Sequence, residues 1–188
     1  DRILAKITLR EIGTRIDVLG HRALKTLAFT PLGNGVFPED VSEAAAGLRR
    51  HPLTNPAVFL RAVEVGLAFA KPVDREGLLD EALNHLQNTD KAMLAQWFLG
   101  RGEYRRTLEL VSKLEAEMSS QLFFPRFQAL LETNATIQAE ALLEHAANAL
   151  SREEQAKAAA YFDSALGDPV VVAKYLSRVK ATRSAVAL

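Results

Sequence analysis

An all-α fold is predicted by three features of this 188-residue sequence. Runs of alternating β-branched residues, which are typical of strands, do not occur. Helix-start signals recur along the chain. Asn55-Pro56 and Asp168-Pro169 each place a capping side chain before a proline at the first helical position. From residue 56 onward the predicted helices begin at regular intervals, which indicates an α-α superhelix, or solenoid, of antiparallel helix hairpins.

Apolar spacing and capping residues define the individual helices. They place helices at residues 2–28, 39–50, 56–70, 75–87, 90–100, 103–118, 121–133, 136–150, 152–166 and 169–182. We therefore predict a single all-α domain over 1–188. In it, residues 1–38 form an N-terminal amphipathic helix and a loop, and residues 39–188 form stacked helix hairpins.

The first predicted helix carries an apolar stripe with residues three or four apart. The stripe consists of Leu9, Ile12, Ile16, Leu19, Ala23 and Leu27. Gly13 and Gly20 lie along its edge and would permit close approach of another helix. Two interpretations stay open: the helix docks on the first hairpin, or it mediates self-association of the chain through residues 1–28.

The charge balance gives no indication of a nucleic-acid or anionic-membrane partner. Lys plus Arg and Asp plus Glu both total 23, so the formal net charge is zero. The chain has no cysteine, which excludes disulfides and thiol chemistry and leaves bacterial cytoplasm and periplasm both compatible. No apolar stretch reaches the roughly 20 residues of a membrane helix, so no membrane span is expected. Because the chain begins at Asp1 rather than Met, we expect a processed or truncated product, and whether an upstream signal or anchor was removed stays open.

No catalytic or metal-binding motif is visible, so we expect neither an enzyme nor a cofactor. Glu81 and His85 are one turn apart, but no third ligand follows at a recognisable spacing. Serine-nucleophile motifs are absent. The basic residues near the end of the chain fit the C-terminus of a helix better than a nucleic-acid surface. They are Lys174, Arg178, Lys180 and Arg183.

The segment Lys91–Leu114 has the pattern of a two-helix repeat. Leu94-Ala95 lie on its first helix, Gly102-Glu103-Tyr104 form the turn, and Thr107 is a small residue on the second helix. In these positions the segment resembles a tetratricopeptide repeat, and weaker matches extend over about 56–182. The resemblance implies a hairpin with four residues buried between its helices: Leu94, Tyr104, Leu108 and Val111.

The resemblance also implies a protein–protein interaction scaffold. In similar proteins a groove lined by the first helix of each hairpin binds a peptide or a partner protein. Transferred to this chain, the groove residues are Gln96, Leu99, Phe123, Arg126, Leu130, Asn134 and Tyr161. The alternative is a structural or assembly subunit that self-associates, or that forms the soluble part of an anchored complex.

Overall fold

A computed structural model describes residues 2–33, 36–146 and 149–166. Within these ranges the chain forms eleven α-helices and no strand, so the all-α prediction is confirmed. They are α1 Arg2–Gly13, α2 Val18–Ala28, α3 Pro38–Arg50, α4 Pro56–Phe69, α5 Pro72–Leu86, α6 Lys91–Gly100, α7 Tyr104–Leu110, α8 Lys113–Met118, α9 Ser120–Glu132, α10 Thr136–His145 and α11 Arg152–Leu166. None of these helices is long and apolar enough to cross a membrane. The predicted helix at 169–182 and its basic residues lie outside the described residues.

The chain divides into two compact units, 1–90 and 91–188, which we call the N-terminal and C-terminal units. The first unit holds the helices α1 to α5. The second begins at α6. That both units belong to a single domain over 1–188 stays a prediction.

In the N-terminal unit, helices that are consecutive in the sequence pack against each other, from α1 to α5. Small side chains allow the helices to approach closely. An added Cβ at Gly13 of α1 or at Gly47 of α3 would lie 3.0 or 2.9 Å from the Leu24 side chain of α2. The core of this contact combines leucines with alanines: Leu27, Ala28, Ala44, Ala45, Leu48 and Ala62.

The prediction of one long helix over 2–28 is wrong, because the chain turns between Gly13 and Val18. Asp17 caps α2, and its carboxylate accepts hydrogen bonds from the backbone N–H groups of Leu19 and Gly20. A Cβ at Gly20 would lie 1.9 Å from the Arg15 carbonyl oxygen, so the turn requires glycine there. The apolar stripe is divided in consequence, and Ile16 is 79% exposed.

In the C-terminal unit, α9 packs against α6, α7, α8, α10 and α11. Its aromatic side chains form the centre of the core. The Phe123 and Phe127 rings stack with their centroids 5.1 Å apart, and the Phe162 ring of α11 lies 6.1 Å from Phe127. Pro125 lies inside α9, which begins at Ser120.

The predicted helix over 103–118 is also interrupted, at Val111 and Ser112. The Ser112 hydroxyl accepts from the Glu115 N–H, and the Glu115 carboxylate accepts from the Ser112 N–H. This reciprocal capping box starts α8. Leu94 and Val111 are buried as predicted, whereas Tyr104 and Leu108 are only half-buried.

Candidate partner-binding groove

Three helices of the C-terminal unit line a surface groove with a volume of about 320 Å³. Helix α6 contributes one side chain, α9 three and α11 two, and the first residue of α7 completes the wall. The lining residues are Leu99, Tyr104, Gln128, Leu131, Glu132, Tyr161 and Ala165. We call this depression the groove.

The groove combines an apolar floor with aromatic and polar side chains. Leu131 is 8% exposed and forms part of the floor. Tyr104 and Tyr161 supply aromatic rings, and Tyr161 is 36% exposed. Glu132, the last residue of α9, places an exposed carboxylate at the edge. Such a surface can accept an apolar side chain and attract a cation beside it.

Two of the residues that the sequence analysis assigned to partner binding, Leu99 and Tyr161, line the groove. A third, Gln96, is exposed and lies three residues before Leu99 on α6. Residues three apart on a helix share a face, so Gln96 lies on the same side of α6 as Leu99.

The structure places two of the other assigned residues in the core rather than on a surface. Phe123 is fully buried and Leu130 is 2% exposed. Phe123 packs against the rings of Phe124 and Phe127. Neither side chain is offered to a partner, so we leave both out of the groove.

Arg126 has a structural role that the sequence analysis missed. Its Nη1 donates to the Leu108 carbonyl oxygen at 2.9 Å and also to the Val111 carbonyl oxygen. These carbonyls lie where α7 ends, so the guanidinium satisfies acceptors that have no partner within that helix. Burial lowers the pKa of Arg126. The side chain thus joins α9 to the break between α7 and α8.

Asn134 ends α9 and is exposed, with a positive φ of 57°. The Asn134 N–H donates to Leu131 O, and the Ala135 N–H donates to Leu130 O at 2.8 Å. This pair of bonds is a Schellman motif, which favours glycine or asparagine at the left-handed position. Asn134 is therefore explained by the helix end and does not line the groove.

Helix α6 ends with the same motif at Gly102, which has a φ of 77°. Here the Gly102 N–H donates to Leu99 O and the Glu103 N–H to Phe98 O. The two helix ends, at positions 102 and 134, are 32 residues apart. Matching them pairs Gln96 with Gln128 and Leu99 with Leu131, and the structure places Leu99, Gln128 and Leu131 in the groove.

Matching the predicted helix starts at 90 and 121 gives a shift of 31 residues instead. A difference of one residue rotates a helical position by about 100°. The 31-residue shift therefore assigns Leu130, which lies in the core, instead of Leu131, which lines the groove. The signal that could have located Gln128 and Leu131 is the pair of left-handed helix ends, Gly102 and Asn134.

The burial of α11 follows the same 32-residue interval. In each of α6, α9 and α11, two residues that are three positions apart are buried. They are Ala95 with Phe98, Phe127 with Leu130, and Ala159 with Phe162. The three helices therefore turn corresponding faces toward the core of the C-terminal unit.

The described residues contain no group of three or more His, Cys, Asp or Glu side chains that could hold a metal ion. No protein-family model, curated protein or solved structure matches the chain.

Proposed function

We propose that the chain is a protein–protein interaction scaffold that binds a peptide segment of a partner in the groove. The observation that carries this proposal is that α6, α9 and α11 each contribute side chains to one continuous groove. The recurrence of buried positions at 32-residue intervals supports a stacked, tetratricopeptide-like arrangement of these helices.

The lining residues favour a peptide with an apolar side chain next to a lysine or arginine. Leu99 and Leu131 provide apolar surface, and Tyr104 and Tyr161 add aromatic area, a residue type frequent in binding hot spots. The exposed carboxylate of Glu132 would attract the basic residue.

The test is selection of a random peptide display library on the full chain, followed by calorimetry with the enriched peptides. We expect enriched sequences to combine an aliphatic or aromatic residue with a neighbouring lysine or arginine. Tyr161→Ala should weaken their binding about tenfold or more, the loss of a moderate hot spot. Glu132→Lys should select acidic peptides instead.

Glu132→Lys should leave the fold intact, because the residue is exposed and a cation is favourable at a helix C-terminus. Glu109→Lys is the matched control, since Glu109 is exposed on α7 and does not line the groove. Unchanged binding in both Tyr161→Ala and Glu132→Lys would refute the proposal. Failure of the library to enrich any peptide would also refute it.

A second candidate function, self-association as an assembly subunit, is favoured by exposed apolar side chains in α1, α2 and the turn between them. They are Leu4, Ile7, Ile16, Val18 and Leu19, exposed by 45 to 79%. Exposed apolar side chains of this kind can pair with a second copy of the chain, and the zero net charge adds little repulsion between two copies.

Light scattering of the full chain tests this alternative. Deleting residues 1–28 would remove Ala23, Leu27 and Ala28 from the core and is unsuitable. The variant Ile16→Lys/Leu19→Lys changes only exposed side chains. A dimer that becomes a monomer in this variant would support self-association, and a monomer in both would refute it.

A further inference from the structure

Two histidine side chains lie next to each other, one in the first part of α2 and the other directly after α3. The His21 and His51 ring centroids are 5.1 Å apart and their planes are tilted by 45°. His51 is 8% exposed and is the residue directly after α3. Neither ring belongs to the groove, which lies in the C-terminal unit.

Both ring nitrogens of His51 are used as they would be in a neutral imidazole. The Leu53 N–H donates to His51 Nδ1 at 3.2 Å, so Nδ1 must be the unprotonated acceptor. The other nitrogen, Nε2, then carries the hydrogen and donates to the Arg15 carbonyl oxygen, also at 3.2 Å. A proton added at Nδ1 would face the Leu53 N–H as a second donor and break this bond.

His21 is poorly placed to carry a charge. Its Nε2 is buried and has no hydrogen-bond partner among the described residues. Burial lowers the pKa of His21, and the neighbouring His51 and Lys25 lower it further. The unfolded chain therefore binds a proton at this residue more readily than the folded chain does.

The charged side chains of the turn and of the end of α3 have partners other than the two histidine rings. In the turn, Arg15 pairs with Asp17 at 2.5 Å. At the end of α3, Arg49 pairs with Glu81 and the Arg50 guanidinium donates to the Ala46 carbonyl oxygen.

Two carboxylates of the same unit, Asp17 before α2 and Asp40 at the start of α3, have lowered pKa values. The Gly20 N–H hydrogen bond, with Arg15 beside it, holds the pKa of Asp17 below its usual value. The hydrogen bond from the Phe37 N–H and the Lys6 ammonium outweigh the effect of burial and lower the pKa of Asp40.

We propose that His21 and His51 form an acid-sensitive latch, which holds the α1–α2 turn to the end of α3 while both rings are neutral. The latch is closed while both rings are neutral and opens when the pH falls far enough to protonate them. Protonation breaks the Leu53–His51 bond and leaves two cationic rings side by side, and opening separates them with loss of the His51–Arg15 bond.

Hydrogen exchange of the full chain at pH 7.5 and 5.5, corrected for intrinsic rates, tests the latch. We expect protection of the Leu53 amide and of the α1–α2 segment to fall about tenfold, since uptake of one proton on opening changes the opening constant by up to a factor of ten per pH unit. The double variant His21→Phe/His51→Asn should keep its protection within about twofold. Phenylalanine retains the ring, and asparagine can accept from the N–H two residues on without titrating.

His85→Gln is the matched control, because His85 is an exposed histidine of the same unit that stacks on Phe59. This variant should show the full fall in protection. If the double variant does not fold, the single variant His51→Asn takes its place in the same experiment. Its Leu53 amide should stay protected at both pH values. A tenfold fall in the histidine-free variant, or no fall in the unmodified chain, would overturn the proposal.

Discussion

The two units differ in what they bury. The N-terminal unit places ionisable side chains in its helix contacts, with Asp40 6% and His51 8% exposed. The described core of the C-terminal unit contains a cluster of aromatic rings on α9 and α11, with Thr107 as its buried polar residue. We conclude that packing volume dominates the stability of the C-terminal unit, whereas buried ionisable groups contribute more to that of the N-terminal unit.

The largest effect is expected in the aromatic core. Phe127→Ala removes a fully buried ring from between Phe123 and Phe162 and should lower the free energy of unfolding by about 3–5 kcal/mol. Denaturant titration of the full chain measures the loss. Met118→Ala is the control in the same unit, since Met118 is 75% exposed, and it should change stability by less than about 0.5 kcal/mol. Equal effects of the two substitutions would contradict the assignment of the core.

The next effect concerns the buried carboxylate of the N-terminal unit. Asp40 accepts from Lys6 Nζ at 3.1 Å and from the Phe37 N–H at 3.0 Å, and Lys6 is itself only 15% exposed. Asp40→Ala leaves both donors without this acceptor and should cost about 3 kcal/mol at pH 7. Because the folded-state pKa of Asp40 is lowered, its contribution is complete above pH 3.8 and is lost as the pH falls below that value.

The control for Asp40 is Glu43→Ala on the same helix. Glu43 pairs with Arg10 but is 65% exposed, so its removal should cost less than about 0.5 kcal/mol. Chemical denaturation at pH 7 and pH 3 compares the two variants. A cost of Asp40→Ala that persists undiminished at pH 3 would contradict the electrostatic explanation.

A smaller effect is expected at the break between α7 and α8. Hydrogen bonds from Lys91 and Ser112 lower the pKa of Glu115 to about 2. Since the side chain is 40% exposed, solvent screening reduces its contribution to about 1 kcal/mol at pH 7. Glu115→Gln preserves the capping box but removes the charge. The difference in stability between this variant and the unmodified chain should shrink as the pH falls from 4.5 toward 2, and thermal unfolding can measure this change.

The sequence was most informative where a local signal determines a boundary. Asn55-Pro56 fixes the start of α4, and α11 begins at Arg152 as predicted, where Ser151 and Glu154 form reciprocal capping bonds. The breaks before α2 and α8 were missed because apolar periodicity continues across them. Asp17 and Ser112 act as caps inside segments that otherwise have a helical pattern.

The groove could be predicted only in part for a related reason. Periodicity identifies the first helices, but it leaves their rotation uncertain by one residue, and burial depends on that rotation. Leu99 and Tyr161, which we assigned to partner binding, line the groove, whereas Leu130 lies in the core and the neighbouring Leu131 lines the groove. The partner contacts of the groove stay a proposal.

Methyl NMR with assigned leucines and a library-selected peptide tests the groove most directly. Leu99 and Leu131 line the groove, whereas Leu94 and Leu130 are buried in the core of the same unit. We expect peptide addition to shift the methyl resonances of Leu99 and Leu131 while those of Leu94 and Leu130 change little. Larger shifts at Leu130 than at Leu131, or shifts confined to leucines of the N-terminal unit, would contradict binding in the groove.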